Sequence, residues 1–490
     1  MLLSLTRVGA TRQGLEKGIA VLGADPSQVE RALGRSGARM NGPSHRIDPV
    51  RGSVGLYAIR APDTWLGTLA ARDQAFGELA QVASRFAEVA RSAGGTAVPT
   101  AVGLSGQPAV LGGDTHVVEV LSSVEQEVLA NLLRSHVPTL IAMTGRSVAT
   151  TGVARDRVGS RWLMASRIHL AARYLASTTP QHLERVMAEL RRRDGIARLD
   201  RMDIVPDFAD GGSPVVVVRC VDAAPNLAAA RAHALVLAAL ALRARRLVRD
   251  GKRVGNVPQR LLEDNRARAI ADGLRARFVL DEAPGRNRHS DRRAGPGDDR
   301  KGNGEAREPR VTGARETIHR LLRDLCTEFA NLEATVEELA PVILPVELPQ
   351  LGLRRVANDG ELLVRWSAQG DAVLAQAARD AFSDPAMGGV LLRSAVQAAP
   401  GRVSIVMDRW RSWLADPASA RTGGAPRDGG GSRRGPDKGR QDKGRQQGGQ
   451  GPGGRGQDHR GHGRNGGRDD RRDASRDGKP YDGGQRGGRS

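Results

Sequence analysis

Apolar residues in the first 282 positions of the chain recur with two different periods. Short β-branched runs with period two predict strands over Val54–Ile59, Thr115–Leu121 and Pro214–Val221. Longer segments with an apolar residue every three or four positions predict helices over Asp63–Arg91, Val124–His136, Pro180–Arg193 and Leu227–Arg249. Strands separated by long helices indicate an α/β or an α+β domain.

Two of the predicted helices are preceded by residues that cap helices. Ser122 or Ser123 stands before the helix that contains Glu125, and Asn226 stands before the helix that begins at Leu227. Side-chain oxygens of these residue types accept hydrogen bonds from the free N–H groups of the first helical turn. We therefore expect helices to begin at these two positions.

The pattern changes after residue 282. Residues 283–313 contain few apolar side chains and many glycines, prolines and charges, which predicts a disordered linker or an exposed insertion. Helical spacing of apolar residues resumes in 314–415, where we expect Pro341 and Pro345 to end one or two amphipathic helices. This mainly helical segment can complete the domain formed by residues 1–282.

The composition of residues 416–490 predicts a disordered tail. The last 70 residues hold 23 glycines and a direct repeat, DKGRQDKGRQ at 437–446, and too little apolar area to offset the entropy of ordering. Gly/Arg segments can contact RNA, but Tyr481 is the one aromatic side chain here on which a base could stack. A solubility role and a weak nucleic-acid contact both remain open.

The net charge of +20 belongs in large part to this tail. The whole chain of 490 residues has 75 Lys and Arg against 55 Asp and Glu, and its last 70 residues hold 18 of the basic residues and 9 aspartates. The remaining 420 residues are only moderately basic. The charge therefore does not by itself indicate a nucleic-acid partner.

Cysteine content and hydropathy indicate a cytoplasmic location. Cys220 and Cys326 are too few for a disulfide framework or a metal knuckle, and we expect them to be buried in a reducing compartment. The N-terminal apolar run is too short for a signal peptide, and no apolar stretch reaches 18 residues. We expect a soluble protein without a membrane partner.

Two polar residues on apolar strands are candidates for chemistry. His116 shares one face of its predicted strand with Val118, whereas Glu119 lies on the other face. Arg219 interrupts the run VVVVRCV and should meet a carboxylate, a phosphate or a cavity edge, because an unpaired buried guanidinium is costly. A hydrogen-bonded core histidine and a structural ion pair are the alternatives. No Walker loop, nucleophile elbow or HExxH helix is present.

Four segments occur in the order typical of bacterial glutamate–cysteine ligases. They are GLEKG (14–18), GDTHVVEVL (113–121) with a following helix that holds Asn131 and Arg134, the run 215–248, and EDNRARAIADGLRARF (263–278). In that family the segments read G-[VL]-E-x-E, H-V-H-V-G, E-V-R-V-x-D and N-R-x-R-A-x-R-x-G-L. The chain thus resembles the carboxylate–amine ligase branch of the glutamine synthetase-like superfamily.

This resemblance implies an α+β fold, in which helices flank a glutamine synthetase-like antiparallel sheet. It also implies an ATP-dependent ligase that forms an amide from amino-acid substrates through an acyl phosphate, with ATP and Mg²⁺ as cofactors. By resemblance, the candidates are Glu16 and His116 for the metal, Arg219 and Arg161 for catalysis, and Asn265 and Arg268 for the nucleotide.

The chain departs from the family at several motif positions. The second Glu, the second His, the Glu before the strand arginine and the last arginine are replaced by Gly18, Val118, Val217 and Ala271. Fewer anionic ligands weaken a Mg²⁺ site. The sequence therefore leaves three hypotheses: an active ligase, a catalytically degenerate relative that serves as a binding or scaffold protein, and a nucleic-acid-associated protein that acts through its Gly/Arg tail.

A single structural expectation follows from the resemblance. If the chain keeps the family's site, the side chains of Glu16, His116, Arg219 and Arg268 should converge in one cavity.

Overall fold

A computed structural model describes residues 12–40, 45–50, 54–98, 112–145, 171–177, 179–194, 202–209, 212–280, 310–349 and 399–422. The strands are β1 (Arg12–Leu22), β2 (Arg46–Pro49), β3 (Leu56–Trp65), β4 (Thr96–Val98), β5 (Gly113–Glu119), β6 (Ile204–Phe208), β7 (Pro214–Asp222), β8 (Arg277–Val279) and β9 (Val311–Gly313). The first helices are α1 (Pro26–Met40), α2 (Leu69–Ser92), α3 (Ser123–Thr144), α4 (Pro180–Asp194), α5 (Leu227–Arg249) and α6 (Gln259–Asp272). The later helices are α7 (Ala314–Asp324), α8 (Cys326–Asn331), α9 (Val336–Glu347), α10 (Pro400–Ala415) and α11 (Pro417–Thr422).

Seven of the described strands form one antiparallel sheet. Its strand order is β2-β3-β1-β5-β7-β6, and β4 pairs with the end of β1. All registered pairs in this sheet are antiparallel, and β8 and β9 form a separate two-stranded ribbon. The predicted α+β class with an antiparallel sheet and flanking helices is confirmed.

Helices cover one face of this sheet and bury it. On β5, β7 and β6, side chains such as Val118, Val218 and Ile204 pack into one cluster with residues of α3 and α5. On β1 and β3, Ile19 and Tyr57 pack against residues of α2. The main core therefore lies between the sheet and the layer formed by α2, α3 and α5.

The central helix α5 is long and apolar enough to span a membrane by length and composition. Within its most apolar window, 83% of the residues are buried inside the protein. Helix α5 is thus a core helix of the fold.

The C-terminal helices are part of the same core. Glu347 at the end of α9 accepts hydrogen bonds from Trp410 (3.0 Å) and Arg409 (2.7 Å) of α10, and lies 3.0 Å from His319 of α7. These three partners outweigh burial and lower the pKa of Glu347. Residues of α7, α9 and α10 also join the cluster around α3 and α5.

Four predictions of where a helix begins or ends are corrected by the structure. Asp63 lies in β3 and not in the following helix, which begins only at Leu69 because Thr68 caps it there. Pro341 and Pro345, which were expected to end helices, lie inside α9, and the predicted helix Val124–His136 continues past Pro138 to Thr144. Both helices are deeply buried, so tertiary packing compensates for the missing N–H groups.

Two predicted disordered segments begin or end elsewhere than expected. Val311–Gly313, at the end of the predicted linker, forms β9 and pairs with β8. Pro417–Thr422, at the start of the predicted tail, is the helix α11. The rest of the linker, residues 350–398 of the predicted helical segment 314–415 and the tail from 423 onward lie outside the described residues.

The cap and cysteine predictions are confirmed. The hydroxyl of Ser122 accepts a hydrogen bond from the N–H of Glu125 (3.2 Å), and the Asn226 side chain accepts from Ala229 (2.8 Å). Cys220 and Cys326 are free and buried.

Candidate functional site

Neighbouring residues of β1 point to opposite faces of the sheet. Leu15 and Lys17 are directed to the side covered by α2, α3 and α5, which we call the packed face. Glu16 lies between them in sequence and is directed to the other side, which we call the polar face and which also carries Arg60, Thr115 and Arg219. The face on which a side chain lies decides whether a ligand can reach it.

The packed face encloses a complete ion pair between β1 and β5. Lys17 and Asp114 lie 3.0 Å apart with both side chains 0% exposed. Asp114 also accepts hydrogen bonds from the backbone N–H groups of Gly18 (3.0 Å) and Ala224 (2.9 Å). Burial lowers the pKa of Lys17 and raises the pKa of Asp114, while their mutual attraction opposes both shifts. This pair ties the sheet to the start of α5.

His116 lies on the packed face, in the core. Its Nδ1 accepts a hydrogen bond from the side-chain amide of Gln13 (3.0 Å), and the ring is fully buried. Burial, helped by the charge of Lys17, lowers the pKa of His116 from 6.5 to about 3. The imidazole is therefore neutral at physiological pH. His116 occupies the position of a hydrogen-bonded core histidine, which was the alternative to a chemical role.

The polar face carries an open charge network around Glu16. The Glu16 carboxylate lies 3.1 Å from the guanidinium of Arg60, with which it is paired across β1 and β3. Arg60 is also 3.5 Å from Asp48 on β2, which in turn accepts a hydrogen bond from Arg46 (2.8 Å). The Glu16 and Arg60 side chains are 34% and 52% exposed, so solvent and ligands reach both.

A β-bulge sets the direction of Arg219. Between the pairs Asp114–Val221 and His116–Val218, β7 has one residue more than β5, so Arg219 and Cys220 together oppose Thr115. Bulges of this kind redirect side chains and are frequent next to active sites. Cys220 packs into the main core, while the half-buried Arg219 lies on the same side of β7 as Val215 and Val217. These two valines are buried in a separate small cluster with Met202 and Val205, against which Val186 of α4 packs, so this side of the sheet is apolar and covered at β6 and β7.

Glu16 and Arg219 lie at one level of the sheet. Glu16 pairs with Thr115, and Thr115 faces the bulge that contains Arg219. Since neighbouring strands are ~4.8 Å apart, the Glu16 and Arg219 backbones are separated by roughly 10 Å. That spacing is suitable for side chains that contact two ends of one small molecule.

The two residues predicted to bind nucleotide lie in the helical layer. Asn265 on α6 donates a hydrogen bond to the carbonyl of Val279 and accepts one from its N–H, both at 2.8 Å, which holds β8 to the helix. Arg268 is exposed, and its guanidinium donates to the carbonyl of Arg277 at 3.3 Å. Helix α6 packs on α3, the helix that covers the packed face.

The expected convergence of the candidate residues is therefore not found. Glu16 and Arg219 share the polar face, His116 lies on the opposite face, and Asn265 and Arg268 bind the backbone of β8. Arg161, the remaining catalytic candidate, lies outside the described residues.

The described residues do not fit a magnesium site of the family's type. Glu16 is the one predicted metal ligand on the polar face, and the charge of Arg60 already balances its carboxylate. The described part of the chain contains no group of three or more His, Cys, Asp or Glu side chains that could hold a metal ion. Mg²⁺ needs several well-placed oxygen ligands, and the described residues around Glu16 do not supply them.

Sequence reasoning missed two features of the sheet. Arg60 interrupts the apolar strand LYAIRA just as Arg219 interrupts its own strand, but the predicted strand ended at Ile59. The pair of Lys17 and Asp114 joins residues 97 positions apart. A lysine among apolar residues of β1 was the available signal for a buried partner.

Comparisons with known proteins give remote structural similarities. No protein-family model and no curated protein matches the chain. The chain is similar to the crystal structure of the complex between prokaryotic ubiquitin-like protein Pup and its ligase PafA, with 12% identity, a TM-score of 0.44, and coverage of 84% of this chain and 83% of that one. It is also similar to a crystal structure of a novel glutamine synthase homolog, with 15% identity, a TM-score of 0.34, and coverage of 75% and 72%. The function of this chain thus rests on its own residues.

Proposed function

We propose that the chain is a protein of the carboxylate–amine ligase type that binds an anionic small molecule, ATP in the first place, on the polar face of its sheet. The observation that carries the proposal is the row formed by Arg60, Glu16 and Arg219 on the face that α2, α3 and α5 leave uncovered. Guanidinium groups recognise phosphate and carboxylate oxygens through paired hydrogen bonds. The order of the sequence motifs supports the same class.

The ligase reaction assigns different tasks to these side chains. A γ-carboxylate takes the terminal phosphoryl group of ATP and releases ADP; an amine then attacks the acyl carbon, forms the amide and releases phosphate. Arg219 would neutralise negative charge on the transferring phosphoryl group, as fixed cations do in phosphoryl transfer. The Glu16 carboxylate would form an ion pair with the ammonium group of an amino-acid substrate. Specificity of the glutamate–cysteine ligase kind belongs to this proposal and rests on the sequence resemblance.

Nucleotide binding is the first test of the proposal. Calorimetric titration of the full-length chain with ATP should show saturable binding, and Arg219→Ala should weaken it by about tenfold or more, since one charge-assisted hydrogen bond contributes 1.5–3 kcal/mol. Arg268→Ala removes the same charge from an exposed site on α6 and serves as the matched control. Equal losses in both variants, or no binding by the unmodified chain, would contradict the proposal.

A catalytically degenerate relative is the second candidate. The position of His116 in the core and the poor fit of a magnesium site favour it, because the family's metal ligands are then not assembled. ADP release from ATP, Mg²⁺, glutamate and a panel of amines separates the two candidates. Amine-dependent turnover supports the ligase, and binding of ATP without turnover supports the degenerate relative.

A nucleic-acid contact through residues 416–490 stays a prediction from composition. Deletion of residues 423–490 should abolish retention on RNA at physiological salt if the tail carries it. Unchanged retention after the deletion would exclude the tail.

A further inference from the structure

A polar cavity of about 280 Å³ lies between α3, the segment 171–177, α4 and the beginning of α6. Its walls include the side chains of Arg134, Arg173, Tyr174, His182 and Glu189. None of these residues belongs to the row on the polar face. Pockets for drug-sized ligands start at about 300 Å³, so this cavity is suited to a ligand smaller than a nucleotide.

Arg134 places a buried positive charge in the wall. It is 1% exposed, and its guanidinium donates hydrogen bonds to neutral oxygens only. These are the carbonyl oxygens of Ala172 (3.2 Å) and Val257 (2.8 Å) and the side-chain oxygens of Asn256 (3.2 Å) and Gln259 (3.0 Å). No carboxylate of the described residues forms an ion pair with Arg134. Its hydrogen bonds orient the group without a carboxylate in direct contact, although the charge of Glu263 acts on it from a greater distance, and a buried charge without a directly paired partner is costly.

Arg173 adds a second guanidinium to the same cavity. Burial and the like charge of Arg173 lower the pKa of Arg134 to about 10. Glu263 lies 3.6 Å from Arg173 and compensates part of this charge. Two guanidinium groups, Arg134 and Arg173, therefore line the cavity together.

His182 and Tyr174 complete the inner wall. The Nε2 atom of His182 is buried and has no hydrogen-bond partner among the described residues. The ring of Tyr174 lies below the guanidinium of Arg134, 5.8 Å from it, and so fixes one side of the cavity. A buried polar nitrogen without a partner indicates that the cavity is built for a group that is not part of the protein.

We propose that this cavity binds a small oxyanion, the phosphate or carboxylate group of a metabolite smaller than a nucleotide, between Arg134, Arg173 and His182. Such a group supplies Arg134 with a directly bonded anion and His182 with a hydrogen-bond partner. Glu189 lies on the exposed side of α4 and lines the cavity, where its negative charge would repel a bound anion. The inference does not depend on the proposed function, because it uses none of the polar-face residues.

Titration of the full-length chain with inorganic phosphate, and separately with succinate, tests the proposal. Arg134 is unsuitable for substitution, since its four hydrogen bonds support three segments of the fold. Arg173→Gln should weaken binding about tenfold, the contribution of one hydrogen bond between charged groups. Glu189→Gln should strengthen it about twofold to threefold, because it removes a repelling charge.

Arg185→Gln on the exposed side of α4 is the matched control, and it should bind as the unmodified chain does. Binding of phosphate alone or of succinate alone supports the cavity and identifies the source of the oxyanion. Binding that Arg173→Gln does not weaken, or that Arg185→Gln weakens equally, would overturn the proposal. So would binding of neither probe, or binding that Arg219→Ala removes and Arg173→Gln does not, since that anion lies on the polar face.

Discussion

The two faces of the sheet treat charged side chains in opposite ways. On the packed face, Lys17 and Asp114 are sealed from solvent, and Asp114 receives three hydrogen bonds. On the polar face, Glu16 and Arg60 form an ion pair of nearly the same length but remain partly exposed. Burial decides what each pair does: the first holds the sheet to α5, and the second is free to exchange its partner for a ligand.

The largest expected effect of this difference is on stability. Asp114→Ala should lower the free energy of unfolding by about 3–5 kcal/mol, because it removes the counter-charge of a buried lysine and the acceptor of two backbone N–H groups. Glu16→Ala should cost less than about 1 kcal/mol, as is usual for partly exposed pairs. Denaturant unfolding of both variants measures the contrast. Equal costs would contradict the division into two faces.

The pH dependence of stability gives the next effect, through His116. Its pKa is lowered from 6.5 to about 3 in the folded chain, so below pH 6.5 the unfolded chain binds a proton that the folded chain does not. Stability therefore falls as the pH decreases from 6.5 toward 3, by about 2 kcal/mol at pH 5 from this group.

The His116→Gln variant should lack this contribution. When the pH is lowered from 7 to 5, its free energy of unfolding should therefore fall by about 2 kcal/mol less than that of the unmodified chain. The half-buried His136, whose pKa is lowered to about 4 by burial and by the charge of Arg243, is present in both chains and does not affect the difference. Unfolding curves at the two pH values check it. Equal acid sensitivity would mean that His116 is not the neutral core residue described above.

The smallest expected effect is a change of binding on the polar face. Glu16→Gln removes the carboxylate beside Arg60 and should strengthen ATP binding a few-fold while the free energy of unfolding changes by less than about 1 kcal/mol. Calorimetry and denaturant unfolding of the same preparation measure both quantities. A weaker affinity for ATP would show that Glu16 contacts the ligand directly.

The elements of the fold could be predicted from local pattern, but their contacts could not. Period-two runs identified β5 and β7, and Ser122 and Asn226 marked the starts of α3 and α5, because caps act over three residues. The helix ends predicted at Pro341 and Pro345 were wrong, because a buried helix can tolerate a missing N–H that an isolated helix cannot.

The candidate site was predictable only in part. Alternation within β5 correctly separates His116 from Glu119, but it does not tell which face the helices cover. That choice follows from the register that places Leu15 opposite His116 and Thr115 opposite Glu16. Asn265 matched its motif position, yet its side chain holds β8, a role that depends on a contact 14 residues away.

Crosslinking with a photoreactive ATP analogue, followed by peptide mapping, tests the central claim most directly. We predict labelled peptides from β1, β3 and β7, and loss of the β7 label when unlabelled ATP is in excess. Label confined to peptides of α6, around Asn265 and Arg268, would contradict the assignment of the ligand to the polar face.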